Sequence, residues 1–362
     1  MRVIIKDTYD ETSYWCALYI KNKIIENKDK FVLGLPTGST PIGIYKKLIE
    51  FYENGEISFK NVITFNMDEY IGLKPNHPQS YRTFMYENLF NHIDILPENI
   101  NLLNGLAKNL LDECTNYEKK IKDAGGIDLF LCGIGRDGHI AFNEPGSSLN
   151  SLTRIKTLSE ETITDNARFF NTKAEIPTQA LTVGVKTIMD AKEIILMASG
   201  TNKALAIKHC IEGSVTNQYT CTVIQLHSKA SIICDKFSTY ELKYKTNTYI
   251  NSILSEKKIV LALGASTKGN ILLQHFGLGK DKIPFISERN STKVGLRCLG
   301  TDIELISEEK ARSLEPKAML VLPWYFKEEI VKREKKYIDN GGQLMFPMPY
   351  PHVVTKKAEI KL

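Results

Sequence analysis

"LFLCGIGRDGHIAFNEPGSS", residues 129 to 148, begins as an unbroken apolar run and turns into a glycine-rich loop carrying Asp137, His139 and Glu144. A short apolar run bounded by glycine suits a strand buried on both faces, and such strands belong to parallel sheets covered by helices. The loop leaves the strand at its carboxyl end, where open α/β sheets collect their ligands. Outward from it, "FVLGL", "NVITFN", "EIILMASG", "TVIQLH" and "SIICD" repeat the strand pattern, with helix-period segments between them. In "PIGIYKKLIEFYENG", Ile42, Tyr45, Leu48, Ile49 and Tyr52 share one helical face, with Pro41 at the start and Gly55 past the end. The pattern predicts an α/β fold, a Rossmann-like and mainly parallel sheet with flanking helices.

Near residue 255 the pattern changes: "YINSILSEKK" is a polar, lysine-bearing junction, and a fresh strand, glycine turn and helix begin at "KIVLALGASTKGNILLQHFG". We place a boundary at residues 252–257, which gives a first domain over 1–254 and a second, smaller Rossmann-like α/β domain over 257–352. Strands "IPFIS", "AMLVLP" and "QLMFPMP" belong to the second, and residues 353–362 form a tail. The 362 residues, 43% hydrophobic, can bury sizeable cores; the net charge of +5 is interspersed rather than striped, which argues against nucleic acid and leaves small anions open. "MRVIIKDTYDETSYW" lacks a signal-peptide core and no window reads as a membrane span, so no membrane partner is expected. Seven cysteines without a CxxC pair read as buried thiols of a reducing compartment, and a cytoplasmic location is expected.

Three features carry chemistry. "GLPTGSTP", residues 34 to 41, joins a strand to a helix, so its amides and the hydroxyls of Thr37, Ser39 and Thr40 suit a phosphate; alone it reads equally as a plain turn. "TFNMDEY", residues 64 to 70, puts Asp68 and Glu69 after another strand, where a carboxylate can serve as a base; an isolated pair reads better as a helix cap. Convergence decides: Asp137, His139 and Glu144 should emerge on the same sheet edge as Asp68 and the "PTGST" loop. A histidine beside carboxylates suits proton transfer near neutral pH, whereas the Asp-x-His spacing followed by Glu lacks the helical regularity of zinc ligands. No GxSxG elbow is present, so acid-base chemistry without a covalent acyl intermediate and without metal is expected. Lys203, in the first turn of "SGTNKALAIKHCIEG", calls for an anion there, and Arg168 in "NARFF" offers a second cation.

Together "GLPTGSTP", "TFNMDEY", "HPQSY", "GIGRDGHIAFNEPGSSL", "TRIKTL", "NARFF", "ALTVGV" and "ELKYKT" resemble the glucosamine-6-phosphate deaminase (isomerase) family over residues 1 to 250. The resemblance implies conversion of glucosamine 6-phosphate and water to fructose 6-phosphate and ammonia, with no metal or organic cofactor. By motif, Asp68 would move the proton between C2 and C1, and His139, held by Asp137 and Glu144, would open the sugar ring. Thr37, Gly38, Ser39, Thr40, Arg168 and Lys203 would hold the phosphate. Some members of the family are hexamers activated by N-acetylglucosamine 6-phosphate through residues matching Ser147, Ser148, Arg154, Lys156, Tyr249 and the terminal amine of Met1. The resemblance thus implies a sugar-phosphate substrate, an effector and a homo-oligomer, up to a hexamer. "TRIK" and the serines alternatively serve folding or lid closure, and "NQY", residues 217 to 219, departs from the family's "NHMW". Two rival readings stand beside the deaminase: a sugar-phosphate sensor, and a phosphogluconolactonase that shares the broad fold.

"GASTKGNILLQHFG", "IPFISERNSTKVG", "LGTDIELIS", "MLVLPWYFKEEI" and "GGQLMFPMP" resemble the C-terminal domain of sugar C-methyltransferases. The S-adenosylmethionine-binding machinery and zinc-binding cysteines of those enzymes have no counterpart, so methyl transfer is not expected. A turn at Ser266, Thr267 and Lys268 could hold a phosphate or sugar nucleotide, and a structural or oligomerising appendage fits equally.

Overall fold

The computed structural model of the chain describes residues 1–166, 170, 176–348 and 351–362, with the side chains of Glu161, Asp165, Asn166 and Lys361 left aside. The chain divides into two compact units, Met1–Thr239 and Tyr240–Leu362.

In the first unit, β1 (Arg2–Lys6) leads into α1 (Tyr9–Glu26), β2 (Phe31–Leu35) into α2 (Ile42–Glu53), and β3 (Val62–Asn66) directly into β4 (Asp68–Tyr70). Then follow α3 (Tyr81–Asn88), β5 (Ile100–Asn101), α4 (Leu110–Asp123), β6 (Leu129–Cys132), β7 (Arg154–Thr157), α5 (Glu160–Asn166), β8 (Gln179–Thr182), α6 (Val185–Met189), β9 (Glu193–Ala198), α7 (Ala204–Glu212) and β10 (Ala230–Asp235). Seven strands form one parallel sheet in the order β1-β10-β9-β6-β2-β3-β5. Every residue of β2 and β6 is buried, as a strand covered on both faces requires. Gly34 is needed at their contact, because a Cβ there would lie 2.4 Å from the Phe130 ring. On one side of the β2/β6 pair the chain runs outward to β3 and β5, and on the other to β9, β10 and β1. The carboxyl ends of β2 and β6 therefore flank a topological switch point.

α2 is capped by Pro41 and buries Ile44, Tyr45, Leu48 and Phe51, a stripe that matches its predicted face at Tyr45 and Leu48. A second, antiparallel sheet, β4-β8-β7, pairs Asp68 with Thr182. Only Met67 separates β3 from β4; its amide donates to Leu35 O and its carbonyl accepts from Val183 N, so one residue carries the chain from sheet to sheet. The expected strand "TVIQLH" is a correction: Thr220–Leu226 is a 3₁₀ helix. A short run with apolar Val223, Ile224 and Leu226 fits either geometry, and the Thr222 hydroxyl, within 2.7 Å of Tyr219 O and 3.0 Å of Thr216 O, ties it to the preceding turn.

The second unit opens with α8 (Tyr240–Ser255), followed by β11 (Val260–Leu263), α9 (Thr267–Phe276), β12 (Phe285–Glu288), β13 (Glu304–Ser307), α10 (Glu308–Ser313), β14 (Ala318–Val321), α11 (Lys327–Arg333), α12 (Lys335–Asp339), β15 (Gln343–Phe346), β16 (His352–Val354) and β17 (Glu359–Lys361). The sheet order is β13-β12-β11-β14-β15-β16-β17, parallel through β15 and antiparallel beyond. The division falls before α8, whereas the sequence changes character after it; α8 packs on α9 and β11. Residues 353–362, read as a tail, instead take part in the two antiparallel strands, where Thr355 Oγ1 donates to Ala358 O and accepts from its amide, closing the hairpin.

Candidate active site

One cleft opens at the switch point of the first unit. It is lined by Thr37, Gly38, Ser39 and Thr40 from the loop after β2, Asp68 from β4, Asp137 and His139 from the loop after β6, and Lys203 ahead of α7. Eight of the residues singled out from sequence thus meet in one place. Arg168, the second expected phosphate cation, lies outside the described residues.

Asp68 sits deepest, only 8% exposed. Its Oδ1 accepts from Thr182 Oγ1 at 2.5 Å and stands 3.4 Å from the amide of Phe142, which also donates to Thr182 Oγ1. Burial pushes the Asp68 carboxyl up to about 7; the hydrogen bonds from Thr182 and Phe142 and the charge of His139 oppose the rise without cancelling it. An aspartate of this kind is half ionised near neutral pH and can both take and return a proton. Its neighbour Glu69 does something else: its carboxylate accepts from the amides of Tyr70, Tyr81 and Arg82 and so caps α3. The adjacent acids of "MDEY" divide into one that faces the cleft and one that builds its wall.

His139 Nδ1 lies 2.7 Å from Asp137 Oδ1, and the His139 amide donates to the same oxygen at 3.2 Å. Burial would raise the Asp137 carboxyl, but the hydrogen bond and charge of His139 outweigh it and hold it below its ordinary value. With Nδ1 turned to a carboxylate, Nε2 is the nitrogen left to exchange a proton. Gly135 makes room for the pair, since a Cβ there would fall 2.5 Å from the imidazole and 2.6 Å from Asp137 Oδ1. Ala141 holds a left-handed φ of 51° immediately before the Phe142 amide, a strained conformation kept at the point where the loop meets Asp68.

Glu144 is a correction. The sequence groups it with His139 and Asp137, but its Oε1 accepts from Ser159 N at 2.8 Å and Thr162 Oγ1 at 2.6 Å, and its Oε2 lies 3.8 Å from Lys156 Nζ. The tight Ile140–Asn143 turn intervenes, and the buried carboxylate finds its donors at Ser159 and on α5 rather than on the histidine. Glu144 reaches the cleft through Thr162, which lines it.

The residues expected to bind an effector are placed as follows. Met1 is exposed ahead of β1; Ser147 is buried, its amide donating to Glu144 O; Ser148 is exposed. Arg154, on β7, donates to Asn143 Oδ1 at 2.8 Å, and Lys156 faces Glu144. Tyr249, on α8, donates to Gln343 Oε1 at 2.6 Å within the second unit. Sequence reading missed Thr182, Tyr81, Arg136 and Thr162, the first bonded to Asp68 and the others lining the cleft. Thr182, Tyr81 and Arg136 lie inside quoted motifs, but pairing across β4 and β8 is what gives Thr182 its partner.

Residues 11–233 match the model of glucosamine-6-phosphate isomerases/6-phosphogluconolactonase. The chain belongs to this family. A glucosamine-6-phosphate deaminase of Borreliella afzelii is 57% identical over 258 residues, 70% of this chain and 96% of its own, and glucosamine-6-phosphate deaminase 1 of Bos taurus is 54% identical over 259 residues, covering 70% and 90%. Among solved structures, a monomeric glucosamine-6-phosphate deaminase shares 40% identity at a TM-score of 0.65, over 66% of this chain and 99% of its own. The 6-phosphogluconolactonase of Thermotoga maritima, 19% identical at a TM-score of 0.52, shares the fold of this isomerase/lactonase family. Residues 235–349 match the C-methyltransferase C-terminal domain. Among the described residues no helix is long and apolar enough to cross a membrane.

Proposed function

We propose that this protein is a glucosamine-6-phosphate deaminase, which converts glucosamine 6-phosphate reversibly to fructose 6-phosphate and ammonia. The observation that carries the reading is the buried Asp68, pushed up to about 7, in the same cleft as the Asp137–His139 pair. Aldose-ketose isomerisation needs a group that takes the C2 proton and returns it at C1, and a separate group for the ring oxygen. Asp68 takes the first task and His139, oriented by Asp137, the second. Lactone hydrolysis makes no use of a carbon-bound proton, so it leaves the buried Asp68 without a task. The Thr37–Thr40 loop and Lys203 hold the phosphate through helix-terminal amides and charge-assisted bonds, each worth on the order of 1.5–3 kcal/mol.

An effector sugar phosphate is part of this reading. Arg154 and Lys156 stand beside the segment from Asn143 to Ser148, and Glu144 joins Lys156 to Thr162 at the cleft. On this reading the enzyme is regulated and works as a homo-oligomer, up to a hexamer. The deciding experiment is ammonia release from glucosamine 6-phosphate on the full chain, with and without N-acetylglucosamine 6-phosphate, together with Asp68→Asn. Turnover that the effector sharpens and Asp68→Asn abolishes, with sugar-phosphate binding retained, is expected. Binding without release in the parent chain would favour a sensor, and full activity of Asp68→Asn would remove the assigned base.

A further inference from the structure

The second unit carries a cleft of its own, and its chemistry differs from that of the first. Its parallel strands run β13-β12-β11-β14-β15, so the order reverses between β11 and β14, and the crevice at their carboxyl ends is where such sheets take ligands. The cleft lies there: Ala265 and Ser266 follow β11, Glu288 ends β12, Pro323 follows β14, and Phe326 and Ile330 close one side. The turn keeps the outer glycines of a dinucleotide-binding turn. Gly264 holds φ 80°, and a Cβ on Gly269 would lie 2.5 Å from Leu322 Cβ, so α9 packs closely on the strand. Its middle position is Ser266, whose Oγ accepts from Gly269 N at 3.0 Å. A side chain therefore stands where a pyrophosphate would approach the backbone, and one helix-terminal amide is already used.

The cation expected from the sequence points away from the cleft, but Arg289, exposed beside Glu288, lines it and can take a phosphate. Lys268, expected from sequence as a phosphate ligand, lies with Nζ 5.2 Å over the Tyr325 ring; neither it nor Thr267 lines the cleft. Arg333 is engaged by Glu308 at 3.4 Å and Glu334 at 3.0 Å. The cleft also offers carboxylates, Glu308, Glu329 and Glu288, of which Glu288 is the buried one. Glu288 is only 8% exposed, and among the described residues no ion pair neutralises it. Its Oε2 accepts from Ala265 N at 2.8 Å and its Oε1 from Asn290 N at 2.9 Å. A carboxylate has about four acceptor sites, so each oxygen keeps one for a further donor. The adjacent hydroxyls of a ribose supply two neutral donors, and an acid at the end of the second strand of such a unit is positioned to receive them. Pro323, Ile330 and the half-exposed Phe326 add apolar surface to the same cleft, with an aromatic face on which a base stacks.

We propose that this cleft binds a ribonucleotide, with Glu288 receiving the 2′- and 3′-hydroxyls and the base lying against Phe326. The test is calorimetric titration of the full chain with the four ribonucleoside 5′-monophosphates and their 2′-deoxy counterparts, with saturating fructose 6-phosphate present to occupy the first unit. At least one ribonucleotide should bind, with its 2′-deoxy form about 10-fold weaker or more, the loss expected for one hydrogen bond to a buried charge. Phe326→Ala, at an exposed position that the fold tolerates, should weaken binding about 10-fold, and Glu288→Gln should narrow the ribose preference. Equal affinity for ribo and deoxy forms in the parent chain, binding that fructose 6-phosphate abolishes, or no binding by any of the eight would overturn the proposal.

Discussion

At neutral pH Asp68 is poised between its two protonation states, and the poise has a thermodynamic sign. An ordinary aspartate loses its proton near 3.8, whereas burial holds the proton on Asp68 until about pH 7. The unfolded chain therefore ionises first, and folding becomes progressively less favourable from about pH 4 to 7, with the full penalty above that. Asp68→Asn should remove activity yet raise thermal stability at pH 8, by an amount bounded on the order of 4 kcal/mol. For activity the limb runs the other way: the base form grows with pH, so kcat/KM should rise through about pH 7. Thr182→Val removes the donor that favours the ionised form and should move that limb to higher pH, while Thr182→Ser should restore it. The groups that share the electrostatics of Asp68 are His139, Glu69, Tyr70, Tyr81, Tyr117 and Cys132. A limb that stays in place in Thr182→Val would mean that it does not report Asp68.

At the scale of elements, the cleft depends on a short helix held by a residue outside it. α3 spans only Tyr81–Asn88, and Tyr81 lines the cleft from its first turn. Ser80 Oγ accepts from Thr83 N, and Glu69 accepts from the Tyr81 and Arg82 amides, so two residues share the capping. Glu69→Ala leaves one buried and two part-buried amides without their acceptor and should cost roughly 1–3 kcal/mol, read as a lower urea midpoint with the slope unchanged. A wild-type midpoint would mean that water replaces the carboxylate. The same helix shows what sequence conveys. Parallel strands announce themselves as apolar runs, and glycine turns mark where they end, so the loops after β2 and β6 could be brought together from the sequence. The β4-β8-β7 sheet could not, because three- and four-residue strands such as "DEY" and "QALT" lack a period long enough to read. Thr182 was hidden for that reason. Glu144 was misplaced because its position in the loop says nothing about which way the turn at Ile140–Asn143 sends the chain.

For the whole molecule, an apolar core in each unit predicts two unfolding events. One core gathers Leu33, Ile44, Tyr45, Leu131 and Met197 in the first unit, and another gathers Leu261, Val321, Leu344 and Phe346 in the second. The probes are already distributed between them. Cys16, Cys114, Cys132, Cys210, Cys221 and Cys234 are buried free thiols of the first unit, while Cys298, partly exposed, belongs to the second. Burial also pushes the Cys16, Cys132 and Cys234 thiols far up, which suppresses the reactive thiolate. Native protein should accordingly react with a thiol reagent at Cys298 alone, and the other six should appear together as the first unit opens. Trp15 and Trp324 report on the two units separately, so Trp324→Phe leaves fluorescence that follows the six thiols. Fructose 6-phosphate, bound by the first unit only, should raise the urea midpoint of the Trp15 and thiol transition and leave that of Trp324, followed in Trp15→Phe, where it was. If the ligand moves both midpoints equally, the units unfold as one cooperative body, because linkage raises only the transition to which the binding site belongs.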